Sequence, residues 1–386
     1  MNNICTLIKW PGGKSHEVKY IKNLIPKYNR YIEPFFGGGA LFFYLKPKSA
    51  IINDISADLI DFYNLVKEQN SDLKNLLFDY CILFDDLINY CDTTYNDLLS
   101  IYDGIKKSHR DSKSKLMQYV NRIYDNFNVL VVNELVKDNE SYKNELYLNA
   151  LNKMKRTADN EKKKTFSDHD LKENLITSFT SGTYMYFRNV HNDIILNRVD
   201  AVSKEYRVAN FYFIREYCYG SMFRYNSKGE FNIPYGGMSY NRKDFRAKIN
   251  CIFNEKIEKL FSKTEIYCKD FEDFFESVEL NENDFMFLDP PYDTVFSGYE
   301  GKDFTRQDQQ RLANALKKTK AKFILIIKDT DFIYSLYKKD FNILCFDKTY
   351  SYNVRSRNDR AAKHLIITNM PMKDDKDFTA CFKIKI

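Results

Sequence analysis

The chain has 386 residues, of which 44% are hydrophobic, so it is long and apolar enough to fill one large or two ordinary globular cores. Its 59 Lys and Arg against 53 Asp and Glu give a formal net charge of +6, which is compatible with a polyanionic partner without requiring one. The eight cysteines form no CxxC pair and the five histidines stand at no metal-ligand spacing. Zinc-framework proteins and disulfide scaffolds are therefore excluded, and no metal is expected.

The predicted elements begin with half of an α/β sheet. In chain order they are a strand over 31–36, a glycine turn over 37–39, a short apolar helix over 40–45, a second buried strand over 50–52 that ends at Asn53 and Asp54, and a helix over 57–68 with Ser56 as its N-cap. This order of strand, glycine turn, helix, strand and acid is typical of a doubly wound fold.

A long helical stretch interrupts this pattern. Amphipathic runs such as 73–87 and 116–127 predict several helices between about residues 71 and 207. The lysine-rich segment 159–170 is predicted as an exposed or disordered loop, because its charge run is typical of a solvated surface.

Sheet-forming segments return after Glu265. The predicted elements are strands over 266–268, 285–288, 323–327, 341–346 and 364–368, and a helix over 305–318. We therefore expect a discontinuous α/β domain formed by residues 1–71 and 263–386, into which residues 72–262 are inserted.

A cofactor site is predicted at the glycine turn. Glycines between a strand and a helix let the backbone pass close to a ligand, and the helix N-terminus supplies free N–H donors. Phe42 stands where a dinucleotide fingerprint needs its third glycine, whereas Asp54 stands near the spacing at which an acid binds ribose hydroxyls. A ligand with a ribose but no pyrophosphate, such as S-adenosylmethionine, fits this pattern better than NAD. A purely structural glycine turn is the alternative.

The segment 11–15 (Pro-Gly-Gly-Lys-Ser) is similar to the end of a phosphate-binding loop, but Ile8 occupies the position where such a loop needs a glycine. We interpret Trp10 and Lys14 instead as a lid over the cofactor. Trp10 offers an aromatic face to an adenine or a sulfonium, and Lys14 offers a cation to a carboxylate. The alternative is that Trp10, the single tryptophan, is a core residue.

The most informative motif is Asp289-Pro290-Pro291-Tyr292. It follows the predicted strand 285–288 at its carboxyl end, where open α/β sheets bind ligands. Asp289 can accept a hydrogen bond from an amino group, the peptide before Pro291 presents a carbonyl, and Tyr292 offers a flat face for stacking a base. A proline turn that merely ends a core strand is the alternative.

Together these segments carry a family resemblance. The chain resembles the Dam-type (D12 class, alpha group) adenine-specific DNA N6-methyltransferases. The matching segments, in the order of that family, are residues 9–14 (KWPGGK), 33–39 (EPFFGGG), 53–54 (ND), 223–226 (FRYN), 229–236 (GEFNIPYG), 289–292 (DPPY) and 365–369 (LIITN). They span most of the chain outside residues 72–205.

The resemblance implies roles for individual residues. The implied cofactor is S-adenosylmethionine, and its implied contacts are Trp10, Lys14, Phe36, Gly37, Gly39, Asp54, Asp270, Phe271 and Asp289. The implied catalytic residues are Asp289, Pro290, Pro291 and Tyr292. The implied DNA-binding residues are Lys9, Tyr219, Arg224, Asn226 and Asn232.

It also implies a Rossmann-like doubly wound methyltransferase domain and, over 72–262, an inserted, mostly helical target-recognition domain that carries a β-hairpin over 226–236. The helical extension around 85–205 is longer than in compact members, and Glu216 stands where a basic residue is common, so the recognised DNA sequence stays open. Two basic groups are predicted to contact phosphates: Arg224, Lys228, Arg242, Lys243, Arg246 and Lys248 in the insertion, and Arg355, Arg357, Arg360 and Lys363 near the C-terminus. The alternatives are an ordinary charged surface for the first group and a solvated loop for the second.

The implied reaction is site-specific methylation of adenine N6 after the base is flipped out of duplex DNA. Transfer to cytosine N4, or to an RNA or protein amide nitrogen, is an alternative, and so is a DNA-binding module that has lost catalysis. The expected partners are double-stranded DNA and a cognate restriction endonuclease, and the protein is expected to be a monomer or weak dimer. Without a signal peptide or membrane span in the sequence, we expect a cytoplasmic protein.

Overall fold

The computed structural model describes residues 6–14, 17–292, 304–349, 361–371 and 383–384. The chain forms two compact units. The first contains the described residues of Met1–Thr6, Trp10–Lys67 and Glu255–Ile386, and the second contains Leu7–Lys9 and Glu68–Asn254. Arg355, Arg357 and Arg360, which were predicted to contact DNA, lie outside the described residues.

The helices are α1 Val18–Ile21, α2 Ala40–Leu45, α3 Ala57–Lys67, α4 Ser71–Thr93, α5 Tyr95–Lys106, α6 Ser112–Asp125, α7 Val129–Leu135, α8 Asn139–Glu161, α9 Asp168–Ile195, α10 Lys204–Tyr217, α11 Phe245–Ile252, α12 Glu255–Phe261, α13 Phe271–Ser277, α14 Arg306–Lys318 and α15 Asp331–Tyr337. The strands are β1 Arg30–Glu33, β2 Ala50–Asn53, β3 Thr264–Tyr267, β4 Asp284–Leu288, β5 Lys322–Lys328, β6 Asn342–Thr349, β7 Ala361–Thr368 and β8 Lys383–Ile384.

The first unit is built on a mostly parallel sheet, which confirms the α/β prediction. Its strand order is β3-β2-β1-β4-β5-β7-β6-β8. The first five strands in this order pair in parallel, whereas β7, β6 and β8 are joined by antiparallel pairing. The strands β2 and β4 are buried along their whole length, as expected of the centre of a parallel sheet.

The order of the strands reverses between β1 and β4. From β1 the chain proceeds outward to β2 and β3, and from β4 it proceeds in the opposite direction to β5. The two strands are in register, with Ile32 opposite Met286, so their carboxyl ends lie at the same edge of the sheet. Such a reversal point is where open α/β sheets bind their ligands.

Most predicted elements of this unit are present. The helix predicted over 40–45 is α2. The first strand is shorter than predicted and ends at Glu33; the residue that follows is Pro34, which has no N–H to donate to a neighbouring strand. The prediction missed α15, which Thr330 caps by accepting a hydrogen bond from Ile333 N–H at 3.2 Å.

The second unit consists mainly of helices α4–α11. Aromatic rings fill much of its interior, as where Tyr80 stacks on Phe213 with ring centroids 4.5 Å apart. The prediction of an exposed loop over 159–170 is confirmed in part: residues 162–167 form a loop, but α8 continues to Glu161 and α9 begins at Asp168. Side-chain capping explains the early start of α9: Ser167 accepts a hydrogen bond from the Asp170 N–H at 3.1 Å.

In place of the β-hairpin predicted over 226–236, the structure has a turn flanked by two isolated β-bridges. The antiparallel bridges join Cys218 with Tyr235 and Tyr225 with Phe231. Among the described residues, no helix combines the length and apolarity that crossing a membrane requires.

Candidate functional site

A cavity of the first unit opens at the carboxyl ends of β1 and β4. Its lining includes every residue predicted to bind the cofactor and every residue of the predicted catalytic motif: Trp10, Lys14, Phe36, Gly37, Gly39, Asp54, Asp270, Phe271, Asp289, Pro290, Pro291 and Tyr292. The glycine turn and the proline corner, more than 200 residues apart in the chain, therefore lie side by side. Glu33, Phe35 and Phe304 also line the cavity, and sequence reasoning gave these three no role.

The glycine turn after β1 is packed against the indole of Trp10. Gly37 has a φ of +49°, a left-handed value that residues with a side chain rarely adopt. A Cβ at this position would lie 2.6 Å from Trp10 Cδ1, well inside normal contact. The close approach of the ring to the backbone therefore requires glycine at position 37.

Asp54 holds this turn in place. Its Oδ2 accepts a hydrogen bond from the Gly37 N–H at 2.8 Å, and its Oδ1 accepts one from the Ser56 N–H at 3.0 Å. Burial raises the pKa of Asp54, while the hydrogen bonds from Ser56 and Gly37 oppose that rise. Each carboxylate oxygen can accept more than one hydrogen bond, so Asp54 retains capacity for a ligand hydroxyl.

Lys14 is buried and paired with Asp289. Its Nζ lies 2.5 Å from both Asp289 carboxylate oxygens and donates to the Gly12 carbonyl at 2.9 Å. The same ammonium lies 5.3 Å from the centre of the Tyr292 ring. The sequence had suggested a cofactor carboxylate as the partner of Lys14, and the structure places the carboxylate of the motif aspartate, Asp289, beside it.

The proline corner is supported by residues that the sequence did not indicate. The Pro291 carbonyl accepts a hydrogen bond from Gln309 Nε2 at 2.9 Å, which ties the corner to the first turn of α14. The Tyr292 ring lies 5.4 Å from the ring of His364 on β7. A Thr-x-x-Asp capping box starts α14 at Thr305, and it is the one signal that could have drawn attention to Gln309.

Glu33 is a buried acid at the end of β1. Its Oε2 accepts a hydrogen bond from Tyr31 OH at 2.8 Å. Burial raises its pKa well above the usual range; the Tyr31 hydrogen bond opposes this, and the nearby charges of Asp289 and Asp54 add to it. The cavity therefore contains a carboxyl group that favours its neutral form, close to the salt bridge between Lys14 and Asp289.

An aromatic wall closes another side of the cavity. The ring of Phe271 lies 5.6 Å from that of Phe35 and 5.7 Å from that of Phe304. The Arg311 guanidinium covers Phe271 at 4.8 Å and donates a hydrogen bond to Asp270 Oδ1 at 2.7 Å. Asp270 also caps α13, so it is held at the cavity by both contacts. Flat apolar faces of this kind suit the stacking of a purine.

The five predicted DNA-binding residues all lie in the second unit: Lys9, Tyr219, Arg224, Asn226 and Asn232. Tyr219 is 39% exposed. The Arg224 Nε donates to Asn232 Oδ1 at 2.9 Å on the surface of this unit. Asn226 organises the turn, since its Oδ1 accepts hydrogen bonds from the N–H groups of Lys228 and Glu230 at 2.9 and 3.0 Å.

Two arginines that were predicted to contact phosphates are paired with acids of the same unit. Arg242 pairs with Asp92 at 2.9 Å and with Glu173 at 2.7 Å. Arg246 pairs with Asp85 at 3.1 Å. These pairs with acids distant in sequence reduce the positive charge that the two arginines offer to phosphates, and phosphate contact by this basic group stays a prediction.

Glu216 neutralises two further members of that basic group. It is fully buried, and its carboxylate oxygens pair with Lys243 and, at 2.9 Å, with Lys248. Burial alone would raise the pKa of Glu216, but the charges of Lys248 and Lys243 lower it to about 2. Glu216 also accepts a hydrogen bond from the Lys9 N–H at 3.4 Å. The acid that departs from the family pattern is therefore the centre of a charge cluster.

Among the described residues, no group of His, Cys, Asp and Glu is arranged to hold a metal ion. The chain matches the family model of the D12 class N6 adenine-specific DNA methyltransferases over residues 10–96 and 111–352. Residues 97–110 lie between the matched ranges.

Relatives with similar sequences cover nearly the whole chain. The Type II methyltransferase M.CviBI of Paramecium bursaria Chlorella virus NC1A is 25% identical over 370 residues, which are 94% of this chain and 98% of that protein. The Type II methyltransferase M.MjaIII of Methanocaldococcus jannaschii is 29% identical over 359 residues, 87% of this chain and 88% of its own. A DNA adenine methylase of Vibrio cholerae is 23% identical over 361 residues, 91% of each chain.

Proposed function

The chain belongs to the D12 class of N6 adenine-specific DNA methyltransferases, and on that premise we propose that it transfers the methyl group of S-adenosylmethionine to N6 of an adenine flipped out of duplex DNA. The observation that supports this most directly is the shared cavity at the β1 and β4 edge. It brings the Asp289–Tyr292 motif within one site with the glycine turn and Trp10. A methyl donor and an extruded base need such a common space.

The lining of the cavity suits the proposed methyl donor. The Trp10 indole beside Gly37 offers a face for the adenosine or sulfonium, and Asp54 offers acceptor oxygens for ribose hydroxyls. The aromatic wall around Phe271 suits the adenine ring of the donor. When bound, S-adenosylmethionine supplies an electrophilic methyl group.

Asp289, the Pro290 carbonyl and Tyr292 would position the target adenine. The N6 amino group would donate hydrogen bonds to the Asp289 carboxylate and to the Pro290 carbonyl, which directs the nitrogen lone pair toward the methyl group. Tyr292 would stack on the base. As the new C–N bond forms, the bond from the methyl carbon to the donor's sulfur would break and S-adenosylhomocysteine would leave. Because the amino group becomes acidic only then, its surplus proton would pass to Asp289 or to water, and positioning and a negative charge at Asp289 suffice without a strong base.

The ion pair between Lys14 and Asp289 suggests an order of binding. Lys14 contacts both carboxylate oxygens at 2.5 Å, so it competes with the adenine amino group for the same acceptors. We propose that Lys14 would hold the carboxylate of a bound donor, which would leave the Asp289 oxygens available to the adenine amino group. Productive binding of the base would then require that the donor is already bound.

We propose that residues 72–262 form a DNA target-recognition domain. Tyr219 and Arg224, which are both accessible on the second unit, would contact bases or phosphates. Because two of the relatives are named Type II methyltransferases, we also propose that the protein acts beside a restriction endonuclease of the same specificity.

The test is methyl transfer from tritiated S-adenosylmethionine to duplex DNA of mixed sequence, followed by digestion to nucleosides and mass spectrometry. We expect N6-methyladenine with the wild type and at least a hundredfold less with Asp289→Ala. A product that contains only N4-methylcytosine would replace adenine by cytosine as the target. DNA binding without any transfer would contradict the proposed activity.

A further inference from the structure

The helical part of the second unit carries a cluster of cations at the junction of three helices. The cluster comprises residues 106–115, from the end of α5 into α6, and residues 153–164, at the end of α8; we call it the distal basic patch. These two segments contain eleven Lys and Arg but three Asp and Glu. The net positive charge of these two segments exceeds the formal net charge of +6 of the whole chain.

The acids of the patch are already paired. Lys106 pairs with Glu161 at 2.8 Å, Lys115 with Asp111 at 2.7 Å and Lys162 with Asp159 at 2.8 Å. Seven exposed cations are left that form no ion pair with any residue the structure describes: Lys107, Arg110, Lys113, Lys155, Arg156, Lys163 and Lys164. By contrast, the basic residues between Arg242 and Lys248 are each held by an acid.

The two segments are brought together by packing within the unit. Glu161 Oε2 at the end of α8 accepts hydrogen bonds from Tyr102 OH at 2.5 Å and from Lys106 Nζ at 2.8 Å, both on α5. At the opposite end of α8, the Tyr142 ring lies 6.3 Å from that of Tyr124, near the end of α6. The helices α6 and α8 are therefore antiparallel, and the start of α6 lies near the end of α8.

We propose that the distal basic patch binds the phosphate backbone of duplex DNA beyond the recognised sequence. The inference rests on the proposed DNA substrate and extends it to a second contact surface. Unpaired exposed cations gain most from phosphate contacts, because no internal ion pair has to be broken and condensed counterions are released. The patch supplies such cations, whereas the stretch around Arg242 does not.

The patch lies about one long helix from the predicted DNA-binding turn. Asn192, near the end of α9, exchanges hydrogen bonds with the Phe231 backbone at 2.7 and 3.1 Å, whereas α9 begins at Asp168, four residues after Lys164. At about 1.5 Å per residue, the 24 residues from Asp168 to Asn192 span roughly 36 Å, or about ten base-pair steps of DNA. A duplex of about 12 base pairs centred on the turn reaches only about 20 Å to either side, so contacts to the patch require a longer duplex.

The test compares binding of short and long duplexes. The patch variant combines Lys107→Gln, Arg110→Gln, Lys113→Gln and Lys163→Gln. The matched control replaces four exposed lysines of the first unit by Gln: Lys318, Lys320, Lys338 and Lys339. Fluorescently labelled, mixed-sequence duplexes of about 12 and about 30 base pairs are titrated with each protein at several salt concentrations, with affinity read by anisotropy.

For the long duplex we expect the patch variant to lose roughly 10- to 100-fold in affinity. The slope of log affinity against log salt concentration should become shallower by about two to four, which is the number of counterions no longer released. The affinity of the control variant for either duplex, and that of the patch variant for the short duplex, should change little. A second variant, Lys107→Gln with Lys163→Gln, is expected to show about half that change in slope.

Equal binding of the long duplex by wild type and patch variant would overturn the inference. An equal loss on both duplexes would also overturn it, since the contact would then lie within the minimal site. Loss of binding to anionic phospholipid vesicles, with DNA binding intact, would assign the patch to a membrane surface instead. Absence of methyl transfer by the wild type would contradict the proposed function, but would leave this comparison of binding interpretable.

Discussion

Replacement of Gly37 by Ala tests whether the glycine turn and Trp10 together form the cofactor site. The left-handed φ of +49° is expected to cost about 1–2 kcal/mol of stability once a side chain is present. The new Cβ would also stand 2.6 Å from Trp10 Cδ1, so the indole must retreat by about 1 Å to reach ordinary contact. A misplacement of that size can cost about a hundredfold in reaction rate, and we expect a smaller loss in binding of the cofactor.

The assay uses the single tryptophan of the chain. Titration with S-adenosylhomocysteine, followed by Trp10 fluorescence, should show a Kd at least about tenfold higher for Gly37→Ala than for the wild type. Gly13→Ala is the matched control, because its Cβ would meet the Trp10 carbonyl oxygen at an ordinary 3.4 Å and its φ is not left-handed. If Gly37→Ala bound the ligand as tightly as the wild type, Trp10 could not form the wall of the site.

Two ion pairs provide the remaining predictions. Lys14→Met leaves the partly exposed Asp289 without its cation, so we expect the free energy of unfolding in urea to fall by about 1–2 kcal/mol. Adding Asp289→Asn to Lys14→Met should recover part of this loss. If the losses of the two substitutions were strictly additive, the pairing would be contradicted. Glu216→Gln should cost about 2–3 kcal/mol at pH 7, since its folded pKa of about 2 lies below the ordinary 4.5. That stabilisation is complete above pH 4.5 and is lost as the pH falls toward 2. The free energy of unfolding of Glu216→Gln should therefore approach that of the wild type at low pH. A difference in unfolding free energy that stays constant from pH 7 to pH 3 would argue against an ionised Glu216.

The sheet and its cavity could be predicted because their signals are local. A buried apolar run followed by glycines or by Asp289-Pro290 marks the carboxyl end of a strand without reference to the rest of the chain. The structure accordingly places both segments at one edge of the sheet. The residue-level roles of these segments in binding and catalysis stay predictions.

Contacts between distant side chains were beyond the reach of the sequence. The neutralisation of Arg242 by Glu173, and of Lys243 by Glu216, depends on how helices pack, and composition alone counts these cations as available charge. The same limit applies to Gln309: the capping box at Thr305 marks the start of its helix but does not reveal its hydrogen bond to the Pro291 carbonyl. The bounds of the loop predicted over 159–170 were missed for a related reason. The Glu161 contacts and the Ser167 cap fix the ends of α8 and α9, while Lys162, Lys163 and Lys164 lie in the loop between these helices.

The position of β1 in the sheet has a consequence for synthesis on the ribosome. One neighbour of β1 is β2, which follows within about 20 residues, but the other is β4, which begins at Asp284. The chain of the second unit is almost continuous and completes before that point, so it can fold while β1 still presents an unpaired edge. We therefore expect a nascent chain released before Asp284 to contain a folded helical unit yet to retain no methyl donor, which pull-down of stalled chains on an immobilised S-adenosylhomocysteine resin would reveal.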